Sequence, residues 1–256
     1  MTRRISFLFS LGCLIALSAA SSLAKAQDTP QTGPEAGHML ATKLQSLRPE
    51  ENVKWSGTLQ IFGRGHPIPP IPISCETVLT ETNWSVTYQT GGTATSPAEK
   101  LTVIFFPGHP NQYIYAKAAA AGGPLGKPAV LTGAEADVRL ADSDFRLSDL
   151  GFEFYHWPDQ IRRKGDRQRG RPCYVLESVN PKATGREYSR VITWVDESSD
   201  QPLQAEAYGA DDKKLKDFEL GSITKVSGHY EVKNLKMFNL KTGSRTYLNF
   251  DLNGAK

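Results

Sequence analysis

The chain has 256 residues, 39% of them hydrophobic and 22% charged, a composition that excludes a disordered chain and a polytopic membrane protein. Its 30 Lys+Arg against 27 Asp+Glu give a formal +3, but residues 1–26 hold Arg3, Arg4 and Lys25 and no acid. The remainder therefore carries 27 bases and 27 acids and no net charge, which leaves nucleic acid and other general polyanions without an electrostatic footprint.

In chain order, Met1 to Arg4 gives a basic start, Ile5 to Leu17 an apolar stretch, and Ala24-Lys25-Ala26 a small-x-small cleavage pattern. These are the parts of a cleaved signal peptide over 1–26. Lipid attachment at Cys13, behind Leu11-Gly12, is the alternative processing route. No later stretch is long and apolar enough to span a membrane, so no transmembrane span is expected after the leader. Residues 27–34 read as a flexible tether rich in Pro, Gly and Thr. Residues 35–252 read as a single domain.

Glu35 to Leu47 predicts one amphipathic helix, with Leu40, Leu44 and Leu47 on one face and Pro49 behind it. Short runs rich in Val, Ile, Thr and aromatics follow at 53–62, 71–80, 84–89, 101–106 and 112–117, divided by turns such as Gly63-Arg-Gly65, Gly91-Gly92 and Pro107-Gly108. Ala118 to Pro128 is an Ala/Gly/Pro loop. Asp144 to Trp157 holds a short helix capped by Ser148 or Asp149. Strands resume at 173–179, 188–196, 203–208, 215–224, 230–238 and 245–252. The last alternates cleanly, with Leu248, Phe250 and Leu252 on one face. The expected fold is mainly β: a single antiparallel, strongly curved sheet or incomplete barrel around one or two helices.

Export leaves two cysteines, Cys75 and Cys173. In an oxidising compartment they form either a disulfide closing a long loop or two buried free thiols on separate strands. The densest charge is Arg162-Arg163-Lys164-Gly-Asp-Arg167-Gln-Arg169-Gly-Arg171, six bases against one acid. It reads either as a solvated hairpin leading into the Cys173 strand or as a docking patch for anionic head groups or an acidic partner.

Catalytic patterns are missing. Histidines 38, 66, 109, 156 and 229 fall in no metal-ligand spacing, and there is no nucleophile elbow. Gly122-Gly-Pro-Leu-Gly-Lys127 has short glycine spacing and Pro128 where a phosphate loop has Ser or Thr. Asp142-Ser-Asp144 begins like a calcium loop, but Arg146 stands at the third ligand position. Asn83-Trp84-Ser85 is a glycosylation sequon, relevant only in a eukaryotic secretory pathway. No catalytic residue, metal or cofactor is expected, and the chain reads as a non-enzyme.

One set of segments resembles a known family. Asp142-Ser-Asp-Phe-Arg-Leu-Ser-Asp-Leu150 is followed by Phe154-Tyr-His-Trp-Pro158 and Gly170-Arg-Pro-Cys-Tyr-Val-Leu-Glu177. Thr193-Trp-Val-Asp196, Leu203-Gln-Ala-Glu-Ala-Tyr208 and the run from Met237 to Thr246 complete the order. Together they resemble the LolA-like outer membrane lipoprotein-sorting proteins, the most distinctive element being Asp144, Phe145, Asp149 and Leu150, with Trp157 and Pro158 behind it. The resemblance implies a half-shell of antiparallel strands around a helix, in the periplasm of a Gram-negative bacterium. It implies a non-catalytic carrier that binds acyl chains of lipids or lipoproteins on an apolar concave surface and hands them to a membrane partner. The 35–47 helix or the 118–128 loop would be its lid. The alternative is a sensor or regulatory module of the same fold. No individual ligand-binding residue follows from the resemblance, but Asp144 and Ser148 read as cap and turn residues and Phe145 and Leu150 as core anchors.

Overall fold

The alternation along the chain becomes one meander interrupted at two points. The computed structural model describes residues 32–251 apart from 64, 66, 67, 95, 184–187, 222, 227 and 228. The signal peptide, Cys13 and most of the 27–34 tether lie outside the described residues.

The N-terminal half runs through β1 (Val53–Phe62), β2 (Ile71–Leu79), β3 (Trp84–Thr90), β4 (Glu99–Phe105), β5 (Gln112–Lys117) and β6 (Ala129–Leu131). The C-terminal half runs through β7 (Asp159–Gln168), β8 (Arg171–Val179), β9 (Arg190–Asp196), β10 (Pro202–Tyr208) and β11 (Lys214–Leu220). After a separate hairpin of β12 (Ile223–Val226) and β13 (His229–Val232), it ends in β14 (Asn234–Asn239) and β15 (Ser244–Asp251). Every pairing is antiparallel, and the 13-stranded order is β6-β5-β4-β3-β2-β1-β15-β14-β11-β10-β9-β8-β7. The two halves are joined at β1 and β15, with Leu59 opposite Leu248. A twisted sheet of this width curls rather than staying flat, and its two faces differ. Along β1 and β15, Leu59, Ile61, Thr246 and Leu248 point inward and are buried, while Gln60, Phe62, Arg245 and Tyr247 point outward.

Helix α1 (Pro34–Gln45) begins with Pro in its first turn and buries Ala36, Gly37, Leu40, Ala41 and Leu44. It lies against β7 and the 153–156 turn. The approach is close enough that a Cβ on Gly37 would stand 2.3 Å from the Gln160 carbonyl oxygen, so only glycine fits there. Just before the helix, Gly33 exchanges both backbone hydrogen bonds with Arg162 (2.8 and 3.0 Å). The start of α1 thereby covers part of the β7 edge.

Two departures from the pattern have physical causes. The basic run 162–171 is strand β7 and the start of β8, with a tight turn at Arg169 (φ 52°) and Gly170 (φ 81°) and a bulge between Arg163 and Asp166. Charge hides the strand from a hydrophobic pattern, yet charges and bulges are what exposed sheet edges carry. The three-residue β6 follows the Ala/Gly/Pro loop and is too short to show a period.

Candidate functional site: the closed concave face

The two ends of the sheet, β6 and β7, are consecutive in sequence. Residues 132–158 must therefore cross from one edge to the other, and they do so through the concave side. They form a 3-10 turn at Gly133–Asp137, another at Leu140–Asp142, the single-turn α2 (Leu147–Leu150) and a last 3-10 turn at Glu153–His156. The short helix expected within 144–157 is α2, followed by the separate 3-10 turn. Asp149 caps α2, its carboxylate accepting the Arg146 N–H at 2.8 Å, while Ser148 donates to Asp137 at 3.1 Å.

This segment fills the shell. Leu140, Phe145, Leu147 and Leu150 are buried in one cluster with Leu59, Leu101, Val103, Phe218 and Leu248 of the sheet and Leu40 and Leu44 of α1. Phe145 meets Phe218 edge-on at 6.2 Å, and Phe152 stacks on Tyr155 at 5.8 Å. Trp157 packs half-buried behind Phe154, and Pro158 is exposed at the entry to β7. The concave face is covered mainly by this crossing segment, with α1 beside it, rather than by the 118–128 loop. Residues 119–128 contribute nothing to the core cluster.

Polar anchors hold the segment against the sheet. The buried Asp144 carboxylate accepts from Ser244 (2.7 Å), Thr246 (2.9 Å) and Asn239 (3.3 Å), and its N–H donates to Thr246 (2.9 Å). Lys216, buried on β11, donates to the Asp144 carbonyl (2.5 Å) and pairs with Asp149 (3.1 Å), which also accepts from the Tyr188 hydroxyl (3.3 Å). Burial pulls the Lys216 ammonium below its usual range, with Asp149 opposing that shift. The Arg146 guanidinium lies 4.1 Å over the Tyr188 ring. On β4 the buried Glu99 accepts the Ala141 N–H (2.7 Å) and pairs with Lys117 (2.8 Å). At the β7 end, buried Gln160 donates to the carbonyls of Phe154, Tyr155 and Trp157 and accepts from Ser178. Between anchors the backbone is strained, with Ala141, Asp142 and Phe152 at φ of 49°, 55° and 50°.

Asp144, Phe145, Asp149 and Leu150 thus come together as anchors and core of this segment. Of the residues that complete the network, Asn239, Ser244 and Thr246 lie in the Met237–Thr246 run of the resemblance, while Lys216, Glu99 and Gln160 stand out in no motif. A signal did exist: Glu99 is in phase with Leu101 and Val103, Lys216 with Phe218 and Leu220, and Thr246 with Leu248. A polar residue on the inward phase of a strand needs a buried partner.

One shallow concavity of about 230 Å³ borders the segment beside Tyr113 and Glu153, and another of the same size lies between α1 and β7 beside His38 and Gln160. Glu153 accepts from the Tyr113 hydroxyl at 2.8 Å, and burial pushes its carboxyl up to about 7. Burial lowers the neighbouring His156.

The other expected sites fall elsewhere. Cys75 on β2 and Cys173 on β8 are both free and buried, on strands seven places apart in the sheet order. Of the two alternatives for these cysteines, the arrangement is that of two separate free thiols. Burial raises Cys75 to about 12 and raises Cys173 as well. In the basic run, Arg163 pairs with Glu177, Arg169 with Glu219 (2.8 Å) and Arg171 with Asp196 (2.9 Å). Arg162 lies 4.1 Å over the Tyr174 ring, Arg167 donates to the Gly170 carbonyl, and Lys164 is exposed. Among the described residues no three His, Cys, Asp or Glu side chains gather as a metal site, and no helix is long and apolar enough to cross a membrane.

Comparison with known proteins agrees with this architecture. No curated protein matches the sequence. Three solved structures share the fold across most of both chains. A DUF1329 family protein from Desulfovibrio piger has a TM-score of 0.68 and 16% identity, over 87% of this chain and 92% of that one. An outer membrane lipoprotein-sorting protein domain from Vibrio parahaemolyticus has a TM-score of 0.66 and 17% identity, over 85% and 91%. A LolA superfamily protein from Nitrosomonas europaea has a TM-score of 0.55 and 16% identity, over 84% and 91%. A family model described as "Uncharacterized protein"-like matches residues 108–252. That match takes in the whole crossing segment and every C-terminal strand, and with the sheet shared by these structures it means that the chain belongs to that family, a family of LolA-like fold.

Proposed function

We propose that this is an exported, non-catalytic protein of the Gram-negative periplasm that binds acyl chains of lipids or lipoproteins on its concave face. The crossing segment gives way to admit them. One observation carries the reading: the apolar inner face is filled not by a strand of the ladder but by short turns pinned through side-chain hydrogen bonds. Binding in this way requires that the segment open at lower free energy than the sheet around it, as a sub-global opening. The concavities beside Tyr113 and Glu153 and beside His38 and Gln160 hold about 230 Å³ each, below the about 300–1,000 Å³ of ordinary ligand pockets. In this reading cargo enters by displacing Phe145, Leu147 and their neighbours. Each CH₂ transferred from water contributes about 0.8 kcal/mol, so a long acyl chain can offset the release of a few buried side chains. The likeness to a lipoprotein-sorting domain supports the choice of cargo.

The test is extraction of lipid from protein purified out of its own envelope, with fluorescent fatty-acid binding to the stripped protein and to Asp149→Ala. Removing that carboxylate leaves Lys216 buried without its ion-pair partner, which costs about 3–5 kcal/mol and loosens the segment. Bound lipid in the native protein and tighter fatty-acid binding by the variant are expected. Lipid-free protein whose two forms both ignore fatty acids would overturn the carrier reading in favour of a sensor with a permanently filled shell.

A further inference from the structure

The convex face carries a second surface that the concave-face reading does not use. On the adjacent strands β1, β15 and β14, Phe62, Arg245, Tyr247, Lys236 and Phe238 all point outward. Phe62 lies 5.4 Å from Tyr247, and Phe238 lies 6.3 Å from it. The Arg245 guanidinium stands 5.3 Å from the Phe62 ring centre and the Lys236 ammonium 5.7 Å from that of Tyr247. Beside them the β14–β15 hairpin raises Leu240 and Lys241 at its tip. Gly63, which follows Phe62, packs against Gly243 of that same tip. Phe62 is 40% exposed and Leu240 49%, both among the most exposed large apolar side chains of the described residues.

The cations here make no close ion pair, although Glu219 lies directly across from Lys236 in the register. Among the described residues no carboxylate forms an ion pair with Lys236, Lys241 or Arg245, and the nearest strand's acids are engaged elsewhere, Asp217 by Lys214 and Glu219 by Arg169. In the 162–171 hairpin, by contrast, three of the six bases have their own carboxylates. Exposed aromatic and aliphatic tips ringed by unpaired cations match a membrane interface, where rings sit at head-group depth and cations meet lipid phosphates.

We propose that the outward face of β1, β14 and β15, through Phe62, Lys236, Leu240, Lys241 and Arg245, docks the protein reversibly on an anionic lipid surface. Such a face would present the shell to a membrane without using its cargo-binding side.

Sedimentation of the purified protein with phosphatidylglycerol-containing and with pure phosphatidylcholine vesicles tests this. Binding should require the anionic lipid and weaken with salt. Each cation near the surface contributes roughly fivefold, so Lys236→Gln/Lys241→Gln/Arg245→Gln should lose more than about fiftyfold. Arg162→Gln/Lys164→Gln/Arg167→Gln should bind like the parent. Leu240→Cys, labelled with a polarity-sensitive dye while the two buried thiols stay unreactive, should shift to the blue on anionic vesicles only. Lys236 and Arg245 face outward and Lys241 lies at the exposed hairpin tip, so unchanged circular dichroism and unchanged fatty-acid binding are expected of the first triple variant. Failure of the parent to bind anionic vesicles, full binding by the first triple variant, or loss confined to the second would overturn the proposal. Capture of an acidic protein without vesicle binding would overturn it too.

Discussion

Glu153 shows how a single residue of the crossing segment can govern pH behaviour. Its carboxyl is buried beside the Tyr113 hydroxyl and is held protonated up to about pH 7. A carboxyl in the unfolded chain titrates near 4.3. Between those values the folded state holds a proton that the unfolded state has lost, so stability from this group is complete below about pH 4 and declines as pH rises to 7. The span corresponds to roughly 3 kcal/mol. His156, lowered by burial, acts in the opposite sense, since acid favours the unfolded chain there; comparing parent with variant isolates the carboxyl. Glu153→Gln keeps an acceptor for Tyr113 and removes the charge. It should match the parent near pH 4.5 and exceed it by about 2–3 kcal/mol at pH 8, read from urea unfolding at both values. Equal stabilities at pH 8 would mean that the folded protein carries the ionised carboxylate at no cost.

At the scale of elements, 53–62 and 112–117 coincide with β1 and β5, and α1 differs from its expected span only at its ends. The single runs expected at 215–224 and 230–238 each divide, into β11 and β12 and into β13 and β14, because the chain leaves the main sheet there for a separate hairpin. The sheet edges were not legible, because β7 is built from charges and β6 from three residues after a loop. The anchors of the crossing segment were half legible. Asp144 and Asp149 stood in a motif, but their partners are inward polar residues of distant strands, and single-sequence periodicity does not pair distant strands. Gly37 is a sharper case, because no sequence pattern singles it out. Replacing a helical glycine by alanine ordinarily stabilises by up to about 1 kcal/mol. Here the new methyl would meet the β7 backbone at Gln160, and overpacking costs about 1–3 kcal/mol. Gly37→Ala should therefore lower stability by about 1–2 kcal/mol, measured as a lower denaturant midpoint at unchanged slope. A stabilised variant would show that α1 is not seated on β7.

For the whole molecule, the same topology that builds the shell couples its halves. The N-terminal and C-terminal meanders are each made of neighbours in sequence, but they meet at β1 and β15, where Leu59 faces Leu248 across nearly the full chain. The crossing segment ties them again, since Glu99 of the first half and Lys216, Asn239, Ser244 and Thr246 of the second all hold it. Neither half can bury its inner face without that shared segment, so residues 35–252 should unfold as one unit. Long-range pairing of this kind also makes folding slow compared with a helical bundle of equal size. The four tryptophans allow a direct check, because Trp84 is buried on β3 in one half and Trp194 lies on β9 in the other. Variants that keep only Trp84 or only Trp194, the rest replaced by Phe, should each give one transition. In each, fluorescence and far-UV circular dichroism should share a midpoint, as two-state unfolding requires. If the Trp84 and Trp194 signals instead separate from the backbone signal in opposite directions, the chain contains two cooperative units and the crossing segment is a linker rather than a shared core.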